Sequence, residues 1–262
     1  IDKKFDIGKQ EEGISSGSYL SKIILDEPNN LFNFSNIGYQ TYYVNQDSIE
    51  LMHQMYFDVH RLGSFRNNLS ETEPIIRAAD MSYLPLIESE GTVYKHNGVS
   101  ENAITTLKNA GCNAIRMRLW HNPSDSHSGM TEVKNFALRV RAAGLKVWLT
   151  VHYSDTWADP GNQTKPVAWQ SLNFNDLKTA VGTYTNQVMT EINPDIIQIG
   201  NETNDGMLWP EGKITTNESQ FLQLVSAASS AIRSKSSTTK IMLHYAGTSG
   251  SDWFFNKVAN VF

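Results

Sequence analysis

The sequence predicts an α/β protein built as a (β/α)8 TIM barrel. From residue 75 onward, short apolar strands alternate with amphipathic helices five times, joined by short connections. Polar or ring-bearing residues end each strand: Asp80, Arg118, His152, Glu202 and His244. No Gly-rich turn follows the first strand, as a nucleotide-binding doubly wound sheet would require. A ring of chemically capable side chains at C-terminal strand ends is what a barrel presents at its active face. About the first five βα units are expected within 71–262. Residues 1–70 are expected to form an N-terminal extension or small separate module.

Ala78-Ala79-Asp80-Met81-Ser82 reads as the first strand. The stretch 100–111 reads as a helix, with Ser100 as N-cap and Gly111 as its stop. A strand follows at 114–120. Residues 130–144 form an amphipathic helix with Val133, Phe136, Ala137, Val140 and Ala143 on one face, closed by Gly144. A buried strand is expected at 145–152. The helix 176–192 stops at Asn193-Pro194, since proline cannot continue it. Then come strand 195–200, helix 219–234, strand 240–244 and helix 253–259. In the extension, 22–25 and 40–44 have strand composition. There is no repeat of solenoid length and no heptad pattern.

Composition narrows the function. The chain has 262 residues, 40% of them hydrophobic, and a net charge of -5. That is an ordinary globular profile, large enough for a sizeable core. The mild acidity argues against nucleic acid or an anionic membrane surface as partner, because both need a basic footprint. No apolar run is long enough to span a bilayer. The sequence opens on Ile1-Asp2-Lys3-Lys4 without Met or a signal-peptide pattern, so the numbering is expected to start inside a longer gene product. The single Cys112 forbids an intrachain disulfide and leaves no zinc spacing. It reads as a small packed residue rather than a nucleophile. No metal ligand set or cofactor is expected. Six Trp and ten Tyr are many for this length. Trp120, Tyr153, Trp157, Trp169 and Trp209 follow strand ends, where flat rings can stack on the C–H faces of sugars. Core packing is the plain alternative for each.

The run Asp195-Ile196-Ile197-Gln198-Ile199-Gly200-Asn201-Glu202-Thr203 says most. An apolar strand ends abruptly on Gly-Asn-Glu. A carboxylate at that end of a barrel strand reads as catalytic, and burial would raise its pKa toward that of a usable general acid. A Glu that only caps a turn or pairs with an Arg is the bland alternative. Asn201-Glu202-Thr203 is also a glycosylation sequon, but a strand end lining a cleft is no surface loop. Arg116 and Arg118 share one face of their strand by period-two alternation. An Arg inside a barrel needs an acidic partner, and Asp80 is the candidate for a core ion pair. His152 and His244 end strands and can orient a carboxylate or a hydroxyl, or be satisfied structural residues. His121 and His127 are expected to be solvated. Asp155 and Asp159 bond a ligand or form Asx turns beside Pro160. Glu191 and Glu211, on a helix end and a distal loop, are poor nucleophiles.

The loop His152-Tyr153-Ser154-Asp155-Thr156-Trp157-Ala158-Asp159-Pro160-Gly161, continuing to Gln163, Lys165-Pro166 and Trp169, closely resembles its counterpart in glycoside hydrolase family 53, the endo-β-1,4-galactanases. Four further stretches are similar. They are Ala79-Asp80-Met81-Ser82, with Ala78 where Gly is usual, and 113–120 with Asn122-Pro123. The others are Gly200-Asn201-Glu202 with 206–212, and Ile241-Met242-Leu243-His244. The resemblance spans 75 to about 260 in order.

It implies cleavage of β-1,4-linked galactan in pectic arabinogalactan by a retaining mechanism with two glutamates. Glu202 matches the acid/base; the nucleophile is expected on a seventh strand, beyond residue 262. It further implies that Arg116 holds that nucleophile, that Asn201 bonds the sugar 2-hydroxyl, and that Trp157, Trp169 and Trp209 wall the subsites. Asp80, Trp120, His152, Asp155 and His244 complete the expected substrate-binding set. Bacterial members can hold a calcium ion in late loops, at positions beyond Phe262. The expected protein is a monomer, secreted, periplasmic or cell-surface. Another retaining β-glycanase on the same barrel is the first alternative. A non-catalytic galactan-binding protein is the second, should the chain end at 262.

Overall fold

A computed structural model of the chain describes residues 35–39, 58–61, 75–259 and 261. The chain divides into two compact units, Ile1–Ile75 and Ile76–Phe262. In the first, β1 (Ser35–Tyr39) and β2 (Asp58–Arg61) pair in parallel. The strands expected at 22–25 and 40–44 lie outside the described residues.

The second unit opens with β3 (Ala78–Asp80) and a short helix, α1 (Leu84–Ser89). A two-stranded hairpin follows, β4 (Lys95–His96) and β5 (Val99–Ser100). Its turn is Asn97-Gly98, both at positive φ, the conformation that two-residue hairpins demand. The rest runs α2 (Ala103–Asn109), β6 (Ala114–Leu119), α3 (Met130–Ala142), β7 (Lys146–Val151), α4 (Phe174–Glu191), β8 (Ile196–Ile199), α5 (Ile214–Lys235), β9 (Lys240–Met242) and α6 (Ser251–Val258). The five long-range strands form one sheet in the order β3-β6-β7-β8-β9. Every neighbouring pair is parallel. Consecutive strands lying side by side, with helices between, is the winding of a barrel.

Two helices close as their glycines predict. After α2 and α3, Gly111 (φ 99°) and Gly144 (φ 76°) sit in the left-handed region. The N–H of Gly144 donates to Arg141 C=O and that of Leu145 to Val140 C=O; Gly111 and Cys112 repeat the pattern on Lys108 and Leu107. That is a Schellman stop. Helix starts differ from expectation. Ser100 is consumed by β5, so Asn102 caps α2, its side chain accepting from Ile104 N–H at 2.9 Å. Asn173 caps α4, which starts two residues before the expected position, with Asp176 bonding back. α5 gains a first turn before Asn217, whose non-helical φ/ψ marks a kink.

The inner strands β6, β7 and β8 are apolar because they are covered on both sides. On β6, Ile115, Met117 and Leu119 are fully buried. Arg116 and Arg118 alternate onto the other face. In the parallel register Asp80 lies beside Arg116 and then Trp148, and Arg118 lies beside Thr150, Gln198 and Met242. These rows set the polar side chains of one face next to one another. Leu149, at the centre of the sheet, is fully buried within the main core. Leu149→Ala is expected to lower the unfolding free energy by roughly 2–5 kcal/mol, read from denaturant titration of the intact protein.

Candidate active site

The site grows from the C-terminal ends of β3, β6, β7, β8 and β9. Arg116 is its hub. One guanidinium nitrogen pairs with Asp80 Oδ2. The other donates to Asn201 Oδ1 at 3.0 Å and to Gln198 Oε1 at 3.3 Å. Thr150 Oγ1 also donates to Gln198 Oε1, at 3.3 Å. Asp80 answers the Ser82 hydroxyl (2.6 Å) and Ser82 N–H (2.9 Å) as well. Burial pushes the Asp80 carboxyl up, but the Ser82 bonds and the Arg116 charge outweigh it, so it sits below its ordinary value. The expected Asp80 ion pair therefore goes to Arg116.

Arg118, buried to 3% exposure, instead lies in a cage of rings. Its guanidinium carbon is 3.9 Å from the Tyr83 ring centroid, 4.5 Å from Trp120 and 5.3 Å from Trp157. Its Nε donates to Ser128 Oγ at 2.9 Å. Three aromatic rings thus lie around one cation.

Asn201 is buried. Its amide nitrogen donates to Ala158 C=O at 2.8 Å while its oxygen accepts from Arg116. Glu202 follows in the left-handed region, at φ 50°. Its N–H donates to His244 Nδ1 at 3.3 Å, and its C=O accepts from Gln163 Nε2 at 3.2 Å. Burial raises the Glu202 carboxyl pKa; the nearby Asp159 carboxylate adds to this and Arg116 opposes it. Asp159 itself makes an Asx turn, Oδ1 accepting from Gly161 N–H at 2.8 Å.

Both histidines at strand ends are held neutral. His152 Nδ1 accepts the Ala158 N–H at 3.1 Å, which leaves the proton on Nε2. Burial, with Arg116 and Arg118 beside it, pushes the His152 pKa down to about 3. His244 is lowered by burial and by Arg116, and its Nδ1 is likewise an acceptor.

The loops correct several expectations. Trp169 is only 6% exposed and packs edge-on against His121 and Tyr184. His121 is not solvated. It sits 4.7 Å from both those rings with Asp155 Oδ1 at 3.3 Å, and burial lowers its pKa. His127 contacts Glu132 Oε2 at 2.7 Å, and that bond raises its pKa. Asp155 uses both oxygens to tie loops, accepting from Asn122 N–H at 2.9 Å and Val167 N–H at 2.8 Å. Trp157 is 41% exposed with its ring 5.3 Å from His152. Trp209 is half-buried, its indole N–H donating to Asp205 C=O at 2.9 Å. Trp120 is half-buried beneath Arg118. Glu191 and Glu211 pair with Lys134 and Lys165. Cys112 is half-buried and free.

The sequence alone assigned no role to Gln198, Gln163 or Tyr83. Gln198 had a signal, as the one polar residue in Ile-Ile-Gln-Ile. Gln163 stood in the loop that resembles family 53, and Tyr83 had no signal. Among the described residues no group of three or more His, Cys, Asp or Glu could hold a metal ion.

A sequence model of glycosyl hydrolase family 53 matches residues 76–261. The chain belongs to that family. An arabinogalactan endo-β-1,4-galactanase A from Aspergillus niger is 36% identical over 193 residues, covering 71% of this chain and 54% of the relative. A Niallia circulans protein named only by its place in the bgaB 5′ region is 38% identical over 185 residues, 66% of this chain and 50% of that one. Among solved structures, the family 53 catalytic domain of Ignisphaera aggregans superposes with TM-score 0.67 at 37% identity, covering 71% of this chain and 56% of that one. A structure of fungal β-1,4-galactanases gives TM-score 0.66 at 33% identity, covering 70% and 58%. The family 53 fold is a (β/α)8 barrel, and the five βα units here are consecutive parts of it. The chain spans about half the length of the curated relatives it matches.

His152 makes a pH prediction. The folded protein keeps it neutral down to about pH 3, whereas the unfolded chain protonates it near 6.5. Below 6.5 the unfolded state therefore binds more protons, and acid favours unfolding. The stability advantage of wild type over His152→Gln is expected to shrink by up to about 1.4 kcal/mol per pH unit from 6.5 toward 3, read from urea midpoints across that range.

Proposed function

We propose that the protein is a retaining endo-hydrolase of β-1,4-galactan in pectic arabinogalactan, with Glu202 as the general acid/base. The observation that carries this reading is Glu202 itself. It stands at the end of β8 in a left-handed main chain, with its pKa raised by burial, beside a buried Asn and two neutral histidines. The names of the curated relatives support the substrate class.

Glu202 donates its proton to the departing glycosidic oxygen as a nucleophilic carboxylate attacks the anomeric carbon from the opposite face. It then takes a proton from the water that releases the sugar from that carboxylate. A retaining pair stands roughly 5–5.5 Å apart, and the nucleophile is a glutamate expected beyond residue 262. Arg116, already paired with Asp80, offers its charge to hold that nucleophile ionised. Asn201 has one amide N–H left after Ala158, directed to the sugar 2-hydroxyl. The Nε2–H groups of His152 and His244 serve as fixed donors to substrate or nucleophile. Trp157 supplies a stacking face, and Trp120 and Trp209 are further substrate-binding rings. No cofactor enters the scheme. The partner is the polysaccharide, the protein acts as a monomer, and its place is secreted, periplasmic or at the cell surface. No described helix is long and apolar enough to cross a membrane.

Two measurements test this. In a reducing-sugar assay on galactan, Glu202→Gln is expected to lower turnover at least ~100-fold through loss of acid catalysis. Unchanged turnover removes Glu202 from the reaction. The acid form of Glu202 is lost as pH rises through its pKa, so that pKa sets the alkaline limb of kcat/KM. Asp159→Asn keeps the Asx turn but deletes a charge that raises this pKa. The alkaline limb is expected to move to lower pH.

A further inference from the structure

Gln163 belongs to the loop after β7, yet its side chain serves the end of β8. It is 2% exposed. Its Nε2 donates to Asn201 C=O at 2.8 Å, to Asp159 C=O at 3.0 Å and to Glu202 C=O at 3.2 Å. An amide nitrogen has two hydrogens, so one is shared. The flipped amide is excluded, because its oxygen would then face three carbonyl oxygens with no donor among them. The other end of the amide, Oε1, is buried with no partner among the described residues. The main chain of the same residue is tied across too, with Trp209 N–H donating to Gln163 C=O at 2.8 Å.

These bonds act where the main chain is least supported by sheet. Residues 201 and 202 lie beyond β8, and Glu202 is a non-glycine residue at φ 50°. Its N–H is held by His244 and its C=O by Gln163. The direction in which the Glu202 side chain leaves the backbone follows from that geometry. We propose that Gln163 is a positioning residue, aiming the Glu202 carboxyl at the leaving-group oxygen by gripping the carbonyls of Asn201 and Glu202. The inference rests on the reading of Glu202 as the general acid.

The test exploits leaving groups. A departing sugar hydroxyl needs a proton; a 2,4-dinitrophenolate does not, so misaiming the acid harms only the first. In the protein as its gene encodes it, Gln163→Met keeps length and removes the donor. On galactan its kcat/KM is expected to fall on the order of 10- to 100-fold, the scale of a misplaced catalytic group. On 2,4-dinitrophenyl β-1,4-galactobioside it is expected to stay within about threefold of wild type, as general acid catalysis is not drawn on there. Equal losses on both substrates, or no loss on either, overturn the proposal. If Gln163→Met fails to fold, Gln163→Glu replaces it. Its ionised carboxylate repels the three carbonyls, while its protonated form donates to one. Recovery of galactan cleavage, relative to wild type, as pH falls supports the proposal, and a constant deficit with pH overturns it. Glu202→Gln is run in parallel on both substrates. A loss there that ignores the leaving group sinks the acid assignment itself. A leaving-group-dependent loss at Glu202 with none at Gln163 sinks only the positioning role.

Discussion

An arginine aimed into the interior of a parallel sheet has to be answered by every strand around it, and Arg116 is such a residue. Its guanidinium meets Asp80 from β3, Gln198 from β8 and Asn201 just beyond β8, and lies 5.9 Å from the Trp148 ring of β7. Three strands besides its own are thus referred to one cation. A slip of one residue would turn each of these partners to the opposite face and leave the charge unpaired in the interior. The same alternation sends Ile115, Met117 and Leu119 to the core, so register and burial enforce each other.

From this hub the site follows by short steps. Arg116 fixes Asn201, Asn201 fixes Ala158, and Ala158 N–H fixes the tautomer of His152. Glu202 comes next in the chain, at a left-handed φ that costs an L-residue about 1–2 kcal/mol. A typical hydrogen bond contributes about 0.5–1.5 kcal/mol net. Holding Glu202 there takes more than one, and His244 and Gln163 provide them on the two sides of the residue, with Thr203 N–H donating to His244 C=O at 2.8 Å. Backbone strain of this kind survives only where the surroundings over-determine it.

The inner strands β6, β7 and β8 were legible because burial on both faces writes itself as apolar runs, and the polar exceptions within them mark the inner face. Glu202, Asn201, Arg116 and His152 were legible for the same reason: each breaks an apolar pattern at or near a strand end. What escaped lies in the loops. The hairpin turn at Asn97-Gly98 had a local signature, but its strands are two residues long and show no alternation. His121 and Trp169 look alike in sequence to Trp157, since all are ring residues after strand ends. Only the packing of Tyr184 from α4 against the first two sets them apart from the exposed ring of Trp157. Ser100 and Asn102 are both competent caps, and the hairpin decides between them by claiming Ser100.

The loop after β7 carries a burden that loops seldom carry. Gln163 grips the end of β8, Thr164 bridges to Trp209, and Ala158 receives Asn201. Lys165, 8% exposed, pairs with Glu211 at 2.7 Å in the loop after β8. Removing one partner of a buried ion pair leaves the other charge desolvated, so that link fixes both loops together. Connecting segments usually tolerate insertion because few contacts leave them. Residues 158–165 break that condition, since four of them bond to the segment that carries the acid. The position of Glu202 is therefore set as much by the loop of the preceding strand as by its own.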